Sequence, residues 1–196
     1  MQGDEELLRL SLAGDEAAFG LLVERYHQRL VGLARGFVGG REAAQDVAQE
    51  TWIAVLRGAD RFEGRSAFRT WLFRICANRA RSAAGRERRT TPAGVAEPTV
   101  DPRRFTAAGQ WASAPDDWAA SVDDRIVASE LAARAKRAIE ELPDLQRQVV
   151  TLRDVEGLSS IDVCDVLSLT PANERVLLHR GRSRVRAFLD RERGAG

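Results

Sequence analysis

Apolar side chains recur at three- and four-residue steps at both ends of this chain and lose that period in its middle, which limits the fold to helices in two groups. Phe19, Leu22, Val23, Tyr26, Leu30, Val31 and Leu33 mark a first long helix, closed by Gly39-Gly40. From Glu42 to Arg57 a second helix carries Ala48, Trp52, Val55 and Leu56 on one face and Asp46, Gln49, Glu50, Ile53 and Arg57 on another. The glycine-centred stretch RFEGRS, Arg61 to Ser66, reads as a tight loop before a third helix begins at Phe68. Residues 86–122 hold four prolines and no sustained period, so they read as a linker. Order resumes near Asp123, where Ile126, Ala133, Ile139 and Leu142 mark a helix that stops before Pro143. LQRQVVTLRDV then gives another helix, broken by Gly157. Ser159 to Asp162 resembles a capping box opening a short helix to Leu167, and Thr170-Pro171 supplies an N-cap and first position for a last helix running towards Leu189. No strand-type alternation occurs. The expected fold is all-α: two small helical domains, 1–85 and 123–193, joined by a flexible acidic linker, 86–122.

Charge is distributed unevenly around a net value of only +1. Eight arginines face one acid between Arg65 and Arg89, seven face two acids between Arg175 and Arg193, and six acids face two arginines between Glu97 and Asp124. Such a chain would not coat DNA alone, because affinity independent of sequence comes from neutralising phosphates. Nowhere do about 18 apolar residues run together, and the N-terminus is acidic where a signal peptide would be basic, so membrane insertion is not expected and the cytoplasm is. Cys76 and Cys164 sit inside apolar helical patterns, as buried thiols do, and form no metal-ligand spacing with His27 or His179. No metal, cofactor or catalytic residue is expected: the paired carboxylates have no supporting His, Lys or metal pattern, and no glycine-rich phosphate loop exists.

Three patches carry binding chemistry. The last two helices have the proportions of a helix-turn-helix, whose second helix would lie in the major groove. Asn173, Arg175, His179 and Arg180 are the candidate base readers, since arginine and asparagine can each address a base edge bidentately. A plain αα-hairpin with solvated arginines is the alternative. In FRTWLFRICANRARS, Phe68, Leu72, Ile75 and Cys76 share a core-facing side, while Trp71, Arg74, Asn78 and Arg81 step up another. An aromatic among arginines suits single-stranded DNA, with bases stacking on rings and phosphates meeting cations; Trp71 as a partly buried core residue with the arginines as a solvated face is the alternative. The Asp46, Gln49, Glu50 stripe would repel phosphate and calls for a protein partner instead; a solvated helix face is the bland reading.

In order and separation, DVAQETWIAVL, FRTWLFRICANRARS, ELPDLQRQVVTLRDVEGLSSIDVCDVLSLT and LHRGRSRVR together resemble the extracytoplasmic-function group of bacterial RNA polymerase sigma factors over nearly the whole chain. The resemblance implies a sigma region 2 bundle that holds the polymerase β′ clamp and opens the −10 element. It also implies a sigma region 4 helix-turn-helix that reads the −35 element while docking on the β flap. Carried over, Asp46, Gln49, Glu50 and Ile53 would bind polymerase; Arg61, Phe62, Arg65, Ser66, Trp71, Arg74, Asn78, Arg79 and Arg81 would meet −10 DNA; Asn173, Glu174, Arg175, His179 and Arg180 would meet −35 DNA. Many relatives are held inactive by an anti-sigma protein, so such a partner is expected here as well. Two departures stand out: Ser168 occupies a turn position where the family commonly has glycine, and Glu174 an apolar position, with Val176 and Leu177 at usually polar ones. A dimeric helix-turn-helix regulator acting without polymerase is the other functional class, though no dimerisation heptad supports it.

Overall fold

The computed structural model describes residues 2–59, 62–90 and 125–194, and every regular element among them is helical. The first group comprises α1 (Asp4–Leu12), α2 (Glu16–Ala34), α3 (Arg41–Gly58) and α4 (Phe68–Thr90). The second comprises α5 (Arg125–Glu140), α6 (Asp144–Val150), a π-helical turn Thr151–Val155, α7 (Ser160–Leu167) and α8 (Pro171–Gly194). Most of the expected linker lies outside the described residues, but α4 runs through Thr90, past the expected domain boundary at 85.

In the first group the long apolar side chains of α2, α3 and α4 converge. Leu22, Leu30, Val55, Phe68, Leu72, Phe73 and Cys76 are buried, and Tyr26 meets Phe68 and Phe73 edge-on at 5.9 and 6.3 Å. Burying Cys76 among them pushes its thiol up to about 12 and makes it inert. Leu56, expected on the apolar face of α3, is exposed instead, because the helix turns its Ala48, Trp52, Val55 side inward. α1 lacks a sequence signal of its own, yet its Leu7 and Leu8 are buried and Asp4 accepts hydrogen bonds from Arg25 and the Tyr26 hydroxyl. Glu5 accepts from the Phe68 backbone N–H at 3.2 Å, placing a carboxylate on the positive N-terminus of α4. α1 thereby positions the arginine-rich helix.

The second group packs α8 against α5, α6 and α7. Gly181 allows the α6–α8 approach: a Cβ there would lie 2.5 Å from a Val150 methyl. Both expected caps form, Ser159 accepting from the Asp162 N–H at 3.1 Å and Thr170 from the Asn173 N–H at 3.3 Å. The α7–α8 turn passes through Ser168 at φ 57°, a left-handed conformation that explains why glycine is common there. After the π turn, Gly157 at φ 65° redirects the chain into α7.

The two groups touch. α4 packs against α7, and the buried apolar side chains of both domains form one cluster. No described helix is long and apolar enough to cross a membrane.

Candidate nucleic-acid and polymerase interface

On α3, Asp46, Gln49 and Ile53 lie exposed along one side, Ile53 at 48 %. They follow from helical spacing alone: positions three, four and seven apart share a face. The stripe combines an exposed isoleucine with a carboxylate and an amide, and it offers phosphate no cation. Glu50 leaves this stripe. It bends towards α4, where Arg79 and Arg86 approach it at 3.7 and 3.9 Å. An open groove of about 470 Å³ runs there between α3 and α4, lined by Glu50, Trp71, Ile75, Asn78 and Arg79 among others.

The loop before α4 and its first turns build an aromatic step. Phe62 sits 5.1 Å from Trp71 and 6.2 Å from Phe68, so Trp71 is half-buried with one side packed and the other at the groove. Phe62 is therefore a support under Trp71 rather than an exposed ring. Arg61 lies outside the described residues. Arg65 is exposed and pairs with Glu63 at 2.9 Å, and Ser66 is half-buried beside it.

Further along α4 the cations are already engaged. Arg74 forms an ion pair with Asp165 of α7 at 2.9 Å. Arg81 donates to the Asn78 amide oxygen at 2.6 Å and to the Val166 carbonyl at the end of α7. Burial there draws the Arg81 guanidinium below its usual value, yet it stays charged. Of the expected −10 residues, Trp71, Arg74, Asn78 and Arg81 thus share one side of α4, partly covered by the second domain, while Arg79 turns to Glu50 of α3 and Phe62, Arg65 and Ser66 precede the helix.

In the second domain, Asn173 and Arg175 are exposed at the start of α8, and His179 and Arg180 are half-buried one to two turns on. Burial, with Arg180 adjacent, holds His179 below the ordinary histidine range, so it is neutral near pH 7. Glu174 departs from expectation. Its side chain is 3 % exposed, Arg153 approaches it at 3.1 Å, and Ser160 donates to it at 2.8 Å, so it faces the π turn and cannot read a base. The signal was in the sequence, because Glu174 occupies an apolar position of the pattern and inward burial is what that position requires. Leu177 also packs on the core, whereas Asn173, Val176 and Arg180 share the outer side. Eight residues beyond Glu174, Arg182 grips Asp154 through two bonds of 2.9 and 2.5 Å. Adjacent residues of the π turn, Arg153 and Asp154, thereby fix α8 at two points.

Among the described residues, no cluster of His, Cys, Asp and Glu could hold a metal ion. What the geometry offers is binding: a cationic, aromatic helix face, a polar and apolar stripe, and a helix-turn-helix.

Residues 22–90 match the family model for Sigma-70 region 2 and residues 132–185 that for Sigma-70, region 4. The RNA polymerase sigma-H factor of Pseudomonas aeruginosa is 34 % identical over 183 residues, covering 93 % of this chain and 91 % of that protein. The ECF RNA polymerase sigma-E factor of Escherichia coli is 29 % identical over 182 residues, 93 % of this chain and 92 % of the other. Among solved structures, CnrH in complex with the cytosolic domain of CnrY aligns with a TM-score of 0.57 at 25 % identity, over 96 % of this chain and 98 % of that one. Ordered motifs, two matching domains and near full-length likeness agree, and the chain belongs to the extracytoplasmic-function group of RNA polymerase sigma factors, non-catalytic subunits that direct transcription initiation.

Proposed function

We propose that residues 1–85 hold the polymerase and open the −10 element, that residues 123–193 read the −35 element, and that 86–122 links them through the polymerase. The observation that carries the division is the sign of the exposed surfaces. On α3, exposed Asp46, Gln49 and Ile53 carry no cation and suit the β′ clamp, while α4 carries Trp71, Arg74, Asn78 and Arg81 along one side and Arg79 at the groove beside Glu50. With Arg61, Arg65 and Ser66, these groups meet the melted −10 strand, where the Trp71 ring offers a stacking platform beside cations. Each stacked base contributes roughly 1–3 kcal/mol, comparable with the cost of unstacking it. On α8, Asn173, Arg175, His179 and Arg180 face the −35 major groove, with Val176 placed to meet a thymine methyl. The exposed apolar side chains Leu145, Val155 and Ile161 give the second domain a surface for the β flap.

The protein acts in the cytoplasm, and its active form is the holoenzyme. Its near-neutral charge supports this, since a subunit with little affinity for bulk DNA reads promoters only when polymerase adds contacts. An anti-sigma protein completes the proposal; the solved relative CnrH is bound by the cytosolic domain of another protein, CnrY. Changing Trp71 to Ala separates the roles: promoter opening, followed by permanganate reactivity of unpaired thymines, is expected to fall at least tenfold while core binding is kept. An equal fall in core binding would make Trp71 a packing residue only.

A further inference from the structure

We propose that Arg153 and Asp154 of the π turn are positioning residues for −35 recognition: through Glu174 and Arg182 they set the roll and tilt of α8, and so decide which bases Asn173 and Arg175 reach. The proposal rests on the assignment of the start of α8 to the −35 major groove made above.

Glu174 stands between the two exposed readers in the chain and points the other way. Its side chain is 3 % exposed, with Arg153 at 3.1 Å and the Ser160 hydroxyl donating to it at 2.8 Å. Neighbouring side chains leave a helix axis about 100° apart, so holding Glu174 inward sends Asn173 and Arg175 out on its two flanks. Any turn of Glu174 about the axis turns both readers with it. The second anchor is Arg182, which donates to the two carboxylate oxygens of Asp154 at 2.9 and 2.5 Å. It lies about 12 Å further along α8, at about 1.5 Å per residue, and about 80° further round it. Anchors that differ in both height and bearing resist rolling as well as tilting.

The other contacts of α8 supply closeness without direction. Gly181 lets the helix lie against Val150 of α6, where a Cβ would come within 2.5 Å of a methyl, but apolar contact favours no particular bearing. Charged hydrogen bonds and two-pronged arginine contacts do favour one. Thr170 caps the Asn173 N–H at 3.3 Å and so orders the first turn of α8, without tying that turn to the rest of the domain. A tie of this kind matters because base edges are read within narrow limits. A side chain about 5–6 Å from the axis moves by about 1 Å when the helix rolls by about 10°. That is about twice the tolerance of roughly 0.5 Å within which a binding group has to be held. The carboxylate at an apolar position of the pattern thereby acquires a role. An apolar side chain would fill the same space, whereas Glu174 fills it in one orientation, chosen by the π turn. Neither Arg153 nor Asp154 has to touch DNA for this, since α8 carries their effect.

The test uses holoenzyme assembled from the full chain and core polymerase. Its template pool keeps the −10 segment and start site of a promoter used by the unmodified protein and randomises the segment around −35. Sequencing the transcripts, each barcoded for its template, gives the enrichment of the favoured base at every randomised position. Arg153→Leu together with Glu174→Leu removes both charges and leaves apolar packing in their place. Enrichment is expected to fall at least about fivefold at the positions that Asn173→Ala or Arg175→Ala also flattens, with helix content by circular dichroism and core binding kept. Glu174→Gln, which retains an acceptor for Arg153 and Ser160, should keep most of the enrichment. Should the double variant lose helix content, Asp154→Ala, at a part-exposed position, decides by the same readout. A folded double variant that keeps the enrichment profile, whatever its total yield, would overturn the positioning role and leave the pair a support of the fold. No enrichment with the unmodified protein, or enrichment that Asn173→Ala and Arg175→Ala leave unmoved, would instead overturn the −35 reading on which the proposal rests.

Discussion

Replacing Glu174 with leucine should destabilise the helix-turn-helix even though leucine restores an apolar residue at an apolar position. Glu174 lies beneath α8, 3.1 Å from Arg153 and 2.8 Å from the Ser160 hydroxyl. Removing one partner of a buried ion pair commonly costs about 3–5 kcal/mol, because the remaining charge stays desolvated. Two observations lower that figure. Arg153 is 27 % exposed and still donates to the Leu158 carbonyl at 2.7 Å, so water and backbone take up part of its charge. The Nε–Oε1 approach also lacks the angle of a good hydrogen bond. A loss of about 2–3 kcal/mol follows, of which Ser160 accounts for about 1. Arg153→Leu together with Glu174→Leu removes both charges and should recover most of the loss. Amide hydrogen exchange along α7 and α8 reads the effect locally: Glu174→Leu should lower protection roughly 30- to 140-fold, at tenfold per about 1.4 kcal/mol. If Glu174→Leu alone keeps wild-type protection, the pair is not what holds α8, and the reasoning fails.

Ser168→Gly should stabilise the second domain by about 0.5–1 kcal/mol, since relief of about 1–2 kcal/mol of left-handed strain exceeds the glycine's extra unfolded-state entropy; thermal unfolding measures it, and a lower midpoint would contradict the strain argument. Asp46→Lys should weaken association with core polymerase at least tenfold at low salt with circular dichroism unchanged, and equal core binding would remove α3 from the polymerase contact. Burial raises Glu156 above the ordinary carboxylate range, with Arg29 and Arg69 pulling it partly back. The folded protein therefore binds a proton the unfolded chain would release, so the fold loses stability as pH rises through the folded value and gains it as pH falls towards 4.5. Glu156→Gln should flatten that dependence in thermal unfolding followed across pH, and an unaltered pH profile would place its origin elsewhere.

The features legible in the sequence were those that a helix writes locally. Phe68, Leu72 and Cys76 fell inward by spacing, and Ser159 and Thr170 capped α7 and α8 because their side chains reach the N–H groups of the first turn. α1 was missed because nine residues with two buried leucines have no period to read; it is helical because Asp4 and Glu5 find partners on α2 and α4. The π turn is illegible for a related reason: Arg153 and Asp154 within it find their partners on α8, distant in sequence. At the candidate site the residue types were readable and their engagements were not. Glu50 turned to Arg79 and Arg86, Arg74 and Arg81 to α7, and each partner is distant in sequence. A pattern of charges says what a face could bind; packing decides whether that face is open.

Promoter-dependent initiation in vitro tests the central claim most directly. The purified chain is added to core RNA polymerase on a library of genomic templates, and the 5′ ends of the transcripts are sequenced. Defined start sites that share upstream elements near −10 and −35, absent with core alone and lost with Trp71→Ala, are the expected result. Transcripts whose ends are the same with and without the protein would contradict it.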